Sequence, residues 1–138
     1  MKRISTLALL TLAASIPMSR AQAQDVTLKA DVPFAFNVGN MALPAGAYAI
    51  SSSSSGVIRV ANVERDLAAS VSTTHDFNDP GRSSKLVFEK IGEHYFLHHI
   101  LCPATVSMNV DIPSWGAEKK ARREAKVERG EEVLVAAR

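Results

Sequence analysis

An alternation of apolar and other residues over thirteen positions is the feature that most restricts how this chain folds. The even positions are apolar, namely Val26, Leu28, Ala30, Val32, Phe34, Phe36 and Val38. A period of two is typical of a β-strand with one buried face. Because Pro33 has no N–H to donate to a sheet, the sequence predicts either an edge strand or two strands divided by a bend at Pro33.

Further short strands follow, separated by residues that favour turns. A hairpin is predicted from residues 47–50 and 57–63, and weaker alternation predicts a strand over residues 67–73 before a turn at residues 78–81. Residues 105–112 predict a last strand with inward side chains at Val106, Met108, Val110 and Ile112. Without helices between the strands, a parallel α/β fold is excluded. The sequence therefore predicts an all-β fold, either an antiparallel β-sandwich or a small barrel, with a charged C-terminal helix.

Another hairpin is predicted from residues 85–90 and 93–100, on either side of Ile91-Gly92. A β-branched isoleucine is poorly suited to the positive φ of a two-residue type I′ turn, so we expect a three-residue loop with Gly92 left-handed. The two loop lengths differ by one residue in register, and the sequence leaves open which side chains face inward.

The composition changes after residue 114. Residues 118–128 are rich in Ala, Glu, Lys and Arg, with opposite charges four residues apart and Gly130 placed as a C-cap. The only regular apolar row consists of small residues, Ala117, Ala121 and Ala125. We therefore expect residues 115–138 to form a charged helical tail, solvated and loosely held, with Trp115 packing the helix start against the sheet.

The first 23 residues resemble a secretory signal peptide. A basic head at Met1-Lys2-Arg3 precedes an apolar run, and Ala21-Gln22-Ala23 is a small-x-small cleavage site. The run contains polar residues and a proline, so it falls short of the roughly 20 apolar residues of a membrane-spanning helix. We expect cleavage near Ala23-Gln24, a secreted or periplasmic product without a membrane span, and a β domain over residues 24–114.

Charge and cysteine content narrow the class of protein. Three of the 16 basic residues leave with the signal peptide, whereas all 14 acidic residues remain, so the mature chain is near neutral. This balance argues against binding to nucleic acid. The single cysteine, Cys102, follows Ile100 and Leu101, which favours a buried small side chain over a thiol that links two chains.

Two motifs resemble those of an uncharacterised family of small secreted bacterial β-rich proteins. The first is Val-Pro-Phe-Ala-Phe-Asn-Val-Gly-Asn at residues 32–40, followed by Leu-Pro-Ala-Gly-Ala-Tyr at residues 43–48. The second is Leu-Val-Phe at residues 86–88, followed by Gly-Glu-His-Tyr-Phe-Leu at residues 92–97. The resemblance implies a secreted β-rich domain, and it carries over no catalytic or binding residues.

The histidines are the first candidates for chemistry, and His75, His94 and His98 are the candidate metal ligands. In a regular strand His94 and His98 share a face but lie about 13 Å apart, too far for one ion to bridge. His98 and His99 would point to opposite faces. A metal site would therefore need partners from elsewhere, such as His75 or Asp76, and we expect no metal and no cofactor.

Other candidates are less organised. The carboxylates available for hydrolytic chemistry are Asp76, Asp79, Glu89, Glu93 and Asp111. Nothing in the sequence pairs them, and no Gly-x-Ser-x-Gly motif is present. The aromatic residues Phe34, Phe36 and Tyr95 are candidates for lining a ligand cavity, although in a small domain such residues more often form plain core.

Three functions from different classes fit these patterns. The first is a non-enzymatic interaction or envelope-associated structural module, whose partner would be another envelope or extracellular protein. The second is a small barrel that binds an apolar ligand or a carbohydrate. The third is a hydrolase with dispersed carboxylates or histidines. A cavity lined by Phe34, Phe36 and Tyr95 would favour the second, and histidines converging with an acidic residue in a cleft would favour the third or a metal site.

Overall fold

The computed structural model describes residues 26–54, 56–76, 79, 81–105 and 108–138, and it shows the predicted all-β chain with one short helix. The predicted signal peptide and its cleavage site lie outside the described residues. In chain order the elements are β1 (Thr27–Val32), β2 (Phe36–Val38), β3 (Met41–Leu43), β4 (Gly46–Ser54), β5 (Val57–Asn62), β6 (Ala68–Ser72), β7 (Thr74–His75), β8 (Lys85–Ile91), β9 (His94–Leu101), β10 (Val110–Asp111), α1 (Gly116–Ala125) and β11 (Glu131–Ala136).

The strands form two sheets. One has the order β1-β4-β5-β6, with antiparallel neighbours throughout. The other has the order β11-β8-β9-β10-β7, also antiparallel. In that second sheet β2 pairs with β3 and contacts β9 in parallel at Asn37 and Phe96.

The alternating N-terminal segment forms two strands, which is one of the two outcomes that the sequence predicted. β1 and β2 are divided at Pro33, which lies in neither strand. The buried residues keep the even parity across the bend, namely Leu28, Ala30, Val32, Phe36 and Val38. One continuous apolar face therefore serves both sheets.

The main core lies where the apolar faces of the two sheets meet. Tyr48 of β4 packs edge-on against Phe36 of β2, and Phe36 packs edge-on against Phe88 of β8. The Tyr48 hydroxyl donates a hydrogen bond to the carbonyl of Pro44, so its one polar group is satisfied inside the core. At one edge the sheets are joined by backbone hydrogen bonds between Lys29 and Arg138, 2.7 and 2.9 Å long.

The loop of the β8–β9 hairpin is shorter than predicted. Ile91 pairs with His94, which leaves Gly92 and Glu93 as a two-residue loop. Gly92 is left-handed as expected, with φ +62°. The three-residue prediction is wrong because Ile91 stays in the strand and is buried, so the positive φ falls on glycine at the first turn position, where a type II′ turn places it.

A β-bulge in β9 sets the directions of His98 and His99. Val87 pairs with His99 and Phe88 with Leu97, which makes His98 the extra residue. Leu97 and Ile100 both lie in the main core, although residues three apart in a regular strand face opposite ways. The two histidines between them therefore share the other face. The expectation that they point to opposite faces is wrong because the bulge interrupts the alternation.

The helix begins and ends earlier than predicted and is better held. It ends at Ala125, and Lys126 rather than Gly130 takes the left-handed position after it, with φ +55°. Ala121 is buried against Ile91 and Phe96 on the outer face of the β8–β9 hairpin. The expectation of a loosely held helix is therefore wrong, since contacts with the hairpin fix it.

The prediction of a helical tail over residues 115–138 is wrong for its last part, which forms a strand that the sequence did not predict. β11 pairs with β8 along its whole length, from Glu131 opposite Lys90 to Ala136 opposite Lys85. Before it, Gly130 passes so close to β8 that an added Cβ would lie 2.1 Å from the carbonyl oxygen of Lys90. Glycine is therefore required here by close approach and not as a helix cap.

The segment before the helix is less regular than predicted. β10 covers only residues 110–111 of the expected strand, although Met108, Val110 and Ile112 are buried as expected. Val106 lies outside the described residues. Cys102 is buried, which confirms the favoured prediction, and its Sγ lies 3.6 Å from the Ser84 hydroxyl.

No helix in the described part of the chain is long and apolar enough to cross a bilayer.

Candidate functional site

His98 lies at the centre of an ionic cluster that joins β8, β9 and α1. Its Nε2 lies 2.8 Å from Oε1 of Glu118 and 3.2 Å from Oε2 of Glu89. Ser114, just before the helix, donates a hydrogen bond of 3.0 Å to the same Glu118 oxygen. Glu118 is only 4 % exposed, and a carboxylate so buried must be paired to remain charged.

Arg122 completes this cluster. Its two terminal nitrogens donate to the two oxygens of Glu89 at 2.8 and 2.7 Å, and Nη2 also lies 2.6 Å from Glu118. Such a two-pronged contact is the strongest that arginine makes with a carboxylate. Donor atoms of Glu89, His98 and Glu118 lie within 4.8 Å of one another, as in a metal site. However, the guanidinium already occupies the position that a cation would take between the two carboxylates.

The cluster shifts the pKa values of its members. Burial raises the pKa of Glu118, but hydrogen bonds from His98, Arg122 and Ser114 outweigh burial and lower that pKa to about 2. Burial lowers the pKa of His98, but the neighbouring carboxylates of Glu118 and Glu89 outweigh it and raise that pKa above its usual 6.5. The hydrogen bonds and opposite charges within the cluster, against the effect of burial, therefore favour a charged carboxylate and a charged imidazole together.

His99, the residue after the bulged His98, contacts a second buried carboxylate. Its Nδ1 lies 2.9 Å from Oδ2 of Asp76, which is 6 % exposed, and 3.6 Å from Oδ1 of Asp111 on the neighbouring strand β10. The backbone N–H of Asp76 donates to the carbonyl of Asn109 at 2.9 Å. Asp76 is thus held in place and in turn fixes the orientation of the His99 ring.

The two histidines line one small depression on the outer face of the sheet. Their ring centroids are 6.0 Å apart. The depression has a volume of about 110 Å³, and its lining consists of Val87, Phe88, Glu89, His98, His99, Arg129, Gly130 and Glu132. Imidazole and carboxylate groups are therefore concentrated at a place that water can reach.

Three polar side chains are buried in the described part of the chain, and two of them contact these histidines. They are Asp76, Asn109 and Glu118. Asp76 and Glu118 each contact one imidazole, while Asn109 accepts the N–H of Asp76 on its carbonyl and that of Cys102 on its side chain. Since buried carboxylates are costly unless paired, their presence around both rings marks this as the most organised polar region of the described fold.

A larger, apolar groove lies elsewhere, between β6 and the β2–β3 hairpin. Its volume is about 450 Å³, and it is lined by Val38, Gly39, Asn40, Met41, Ala68, Ala69, Ser70, Val71 and Trp115. Trp115 directly precedes α1 and is 38 % exposed, with an added Cβ on Gly39 lying 3.5 Å from its indole. Trp115 thus covers a glycine turn and forms part of the groove, which is a more exposed place than its predicted role as a packed plug.

The candidates named from the sequence fall into three places. His98 lies in the ionic cluster, His94 is exposed at the start of β9, and His75 is exposed on β7. Phe34 stacks on Tyr95 with centroids 3.9 Å apart and packs edge-on against Phe88, as Phe36 does. Phe34, Phe36 and Tyr95 thus pack against other aromatic rings, and none of these three lines the depression or the groove.

Several residues of both sites were missed by the sequence analysis. His99, Arg122 and the groove around Trp115 were not proposed, and Glu118 was treated as an ordinary helix residue. An available signal was the pair Glu118 and Arg122 on one helix face next to the serine at position 114, which suits the first turn of a helix. For His99 no signal was available, because its direction depends on the bulge.

Comparison with known proteins adds no relative, since no family model, curated protein or solved structure matches this chain.

Proposed function

We propose that this protein is an exported, non-enzymatic interaction module that binds an extended segment of a partner protein in the groove beside β6. The observation that carries the proposal is the state of β6 at that groove. β6 is the last strand of its sheet and pairs only with β5 among the described residues. One row of its backbone N–H and C=O groups therefore faces the groove without a strand partner.

The sequence of β6 favours pairing with an added strand, because it lacks the residues that protect an edge strand from such pairing. Edge strands of stable monomers usually carry lysine, proline or a bulge that prevents pairing with other chains. Residues 68–72 read Ala-Ala-Ser-Val-Ser, with no charge and no proline, and pair in a regular register with β5. An open, regular, uncharged edge is the surface that peptide-binding domains offer when an extended ligand adds a strand.

The groove also offers side-chain pockets. Trp115 and Met41, which are 38 % and 39 % exposed, supply apolar surface to the groove. A strand that pairs with β6 would point alternate side chains towards this surface. We therefore propose an uncharged, extended partner segment with apolar residues at every second position, from another envelope or extracellular protein.

The arrangement of the two sheets is consistent with a binding site in the groove beside β6. We propose that the two sheets form an incompletely closed barrel or sandwich, joined at the β1–β11 edge and open on the side of β6 and β3. The backbone bonds between Lys29 and Arg138 support the joined edge. A partner strand at the groove would cover the open side.

Fluorescence titration tests the proposal directly, because Trp115 is the only tryptophan of the chain and lines the groove. The probe is a blocked peptide with the core Thr-Val-Thr-Val-Thr-Val and lysines at both ends. We expect saturable quenching or a blue shift, and slowed hydrogen exchange for amides of β6. A peptide with proline in place of each threonine cannot form the same backbone bonds and should not bind.

Two lysine substitutions provide a matched pair of variants. Ser70 and Ser72 are both exposed on the same side of β6, but only Ser70 lines the groove. Ser70→Lys should weaken peptide binding by about tenfold or more, whereas Ser72→Lys should change it less than about twofold. Equal effects of the two variants, or no binding of the peptide to the unchanged protein, would contradict the proposal.

An alternative function is favoured by the exposure of Trp115 beside Asn40 and Ser70. An indole face flanked by polar side chains suits a carbohydrate or another small ligand. Titration with a glucose hexasaccharide separates the two functions. Quenching by the sugar and not by the peptide supports the alternative.

Export is the second part of the proposal, and its support is the signal-peptide pattern of residues 1–23. The motifs at residues 32–40 and 43–48, which resemble those of small secreted bacterial proteins, point the same way. Mass spectrometry of the protein from culture medium or periplasm should show a chain that begins near Gln24. Recovery of the uncut chain from the cytosol would contradict it.

A further inference from the structure

The exposed side of α1 carries a row of cations. Lys119, Arg123 and Lys126, the last of which directly follows the helix, are spaced by four and three residues, which places them on one side of a helix. All three are exposed, whereas Ala121 on the opposite side is buried against the β8–β9 hairpin. The helix therefore rests on its alanine side and presents these three cations, the basic face, to solvent.

The acidic residues of the helix do not neutralise the basic face. Glu118 is 4 % exposed and is paired with His98 and Arg122 inside the ionic cluster. Glu124 lies 3.8 Å from Nζ of Lys120 in an exposed ion pair. Within the described part of the chain, no carboxylate pairs with the three cations of the basic face. The fold thus turns one acidic side chain inwards and leaves the cations outside.

Neighbouring cations enlarge this positive region. Lys120 and Arg129 are also exposed, so residues 119–129 expose five basic side chains against two acidic ones, Glu124 and Glu128. At a rise of 1.5 Å per residue, the basic face is about 10 Å long. It lines neither the depression beside the β9 bulge nor the groove beside β6. The charge is therefore spread along a surface and not gathered in a pocket.

Helix stability accounts for only part of the basic face. Cations near the C-terminal end of a helix interact favourably with the helix dipole, which suits Arg123 and Lys126. Lys119 is the fourth residue of α1, near the positive end of the dipole, where a cation is disfavoured. Its place in the row therefore needs another explanation, such as an anionic partner.

A spread row of cations suits a surface of many anions better than one small anion. A single phosphate is held where donor groups converge in a concavity, whereas these side chains lie along an exposed helix. The headgroups of anionic lipids are distributed over a plane and move within it, so they can match the spacing of the row. Each lysine or arginine at such a surface strengthens binding by about fivefold.

We propose that the basic face of α1 is a docking surface for an anionic lipid bilayer, which holds the protein at a membrane surface by electrostatic attraction. The apolar side of the helix is occupied by the hairpin, so it is not available for burial among the lipids. Because the basic face does not line the groove beside β6, it can act whether or not that groove binds a partner.

Sedimentation with lipid vesicles tests the proposal. The purified mature protein, without the signal peptide that would itself bind lipid, is mixed with vesicles of phosphatidylcholine alone or with about 30 % phosphatidylglycerol. We expect binding to the anionic vesicles at about 50 mM NaCl, and binding at least about tenfold weaker at about 300 mM NaCl, because salt screens exposed charges. Phosphatidylcholine vesicles should not bind. Absence of binding to the anionic vesicles, or binding that salt does not weaken, would overturn the proposal.

A triple variant removes the basic face. Lys119→Gln/Arg123→Gln/Lys126→Gln replaces each cation with a neutral residue of similar helix propensity. It should weaken binding to the anionic vesicles by about 100-fold, from about fivefold for each charge. Circular dichroism verifies that the variant is folded.

A second triple variant with the same loss of charge is the matched control. It changes exposed cations of the other sheet and of the loop after β5, namely Lys29→Gln, Arg59→Gln and Arg65→Gln. Binding should change by less than about threefold, because these charges lie away from the helix. Equal losses in the two triple variants would show that net charge and not the basic face controls binding. Binding to poly-L-glutamate without binding to vesicles would assign the face to an acidic peptide, and either result would overturn the proposal.

Discussion

Single residues hold the C-terminal part of this chain to the rest, and Glu89 is the most connected of them. Its two oxygens accept hydrogen bonds from both terminal nitrogens of Arg122 and from the backbone N–H of Gly130. Its Oε2 also lies 3.2 Å from Nε2 of His98. One carboxylate on β8 thereby fixes the helix and the segment that leads into β11. A charge in this position is stabilising only while its partners are in place.

Arg122→Ala tests this dependence. The change removes the cation between two carboxylates, one of them nearly buried, and should lower the free energy of unfolding by about 2–3 kcal/mol. The matched control is Arg123→Ala, since Arg123 is exposed on the same helix and should cost about 0.5 kcal/mol or less. Urea unfolding of the two variants decides the matter, and similar midpoints would contradict the role given to Arg122.

Among the elements, β11 and the bulge in β9 contribute most to the depression around His98 and His99. β11 supplies the outer partner of β8 and brings Glu132 to the depression. The bulge turns His98 and His99 towards the same face. The depression around these histidines is thus a product of how strands pair, and not of a short sequence motif.

Neighbouring substitutions in β11 test whether this segment is a strand in the fold. Val135 is 9 % exposed and packs against the main core, whereas Leu134 is 56 % exposed. Val135→Asp places a charge in the core and should cost more than about 3 kcal/mol. Leu134→Asp should cost about 1 kcal/mol or less. Thermal unfolding followed by circular dichroism measures both, and equal losses would indicate a disordered tail instead of a paired strand.

For the whole molecule, the ionic cluster predicts how stability depends on pH. The lowered pKa values of Glu118 and Glu89 give stabilisation that is complete above their ordinary value of 4.5 and is lost as the pH falls through the folded-state values, which is about 2 for Glu118. The raised pKa of His98 gives stabilisation that is present below 6.5 and is lost as the pH rises through the folded-state value. The cluster should therefore stabilise the fold most between about pH 4.5 and 6.5.

Melting temperatures from pH 2.5 to 9 check this prediction. For Glu118 the loss of stability in acid is on the order of 3 kcal/mol, because its pKa falls from 4.5 to about 2 on folding and a tenfold change in an equilibrium constant corresponds to about 1.4 kcal/mol. Glu118→Gln should flatten the acid side of the profile, and His98→Gln the alkaline side. A profile whose two sides keep their slopes in these variants would show that the cluster does not control stability.

The sequence alone determined the fold class and much of the core. A period of two over residues 26–38 can bury only one face of a strand, so the parity of Leu28, Val32 and Phe36 follows from local chemistry. The hairpin of β4 and β5 and the left-handed Gly92 are equally local, because turns depend on a few neighbouring residues. Cys102 was also placed correctly by its apolar neighbours.

Only the tertiary structure decided the sites. A bulge arises from the register of two strands, so nothing local to residues 98 and 99 shows that their side chains share a face. The partners of these histidines come from distant segments, Asp76 from the residue after β7 and Glu118 from the helix. The charged C-terminal stretch has a weak local pattern, and pairing with β8 made its last part a strand. Periodicity is a local property, whereas the convergence of charged groups depends on which segments the fold brings together.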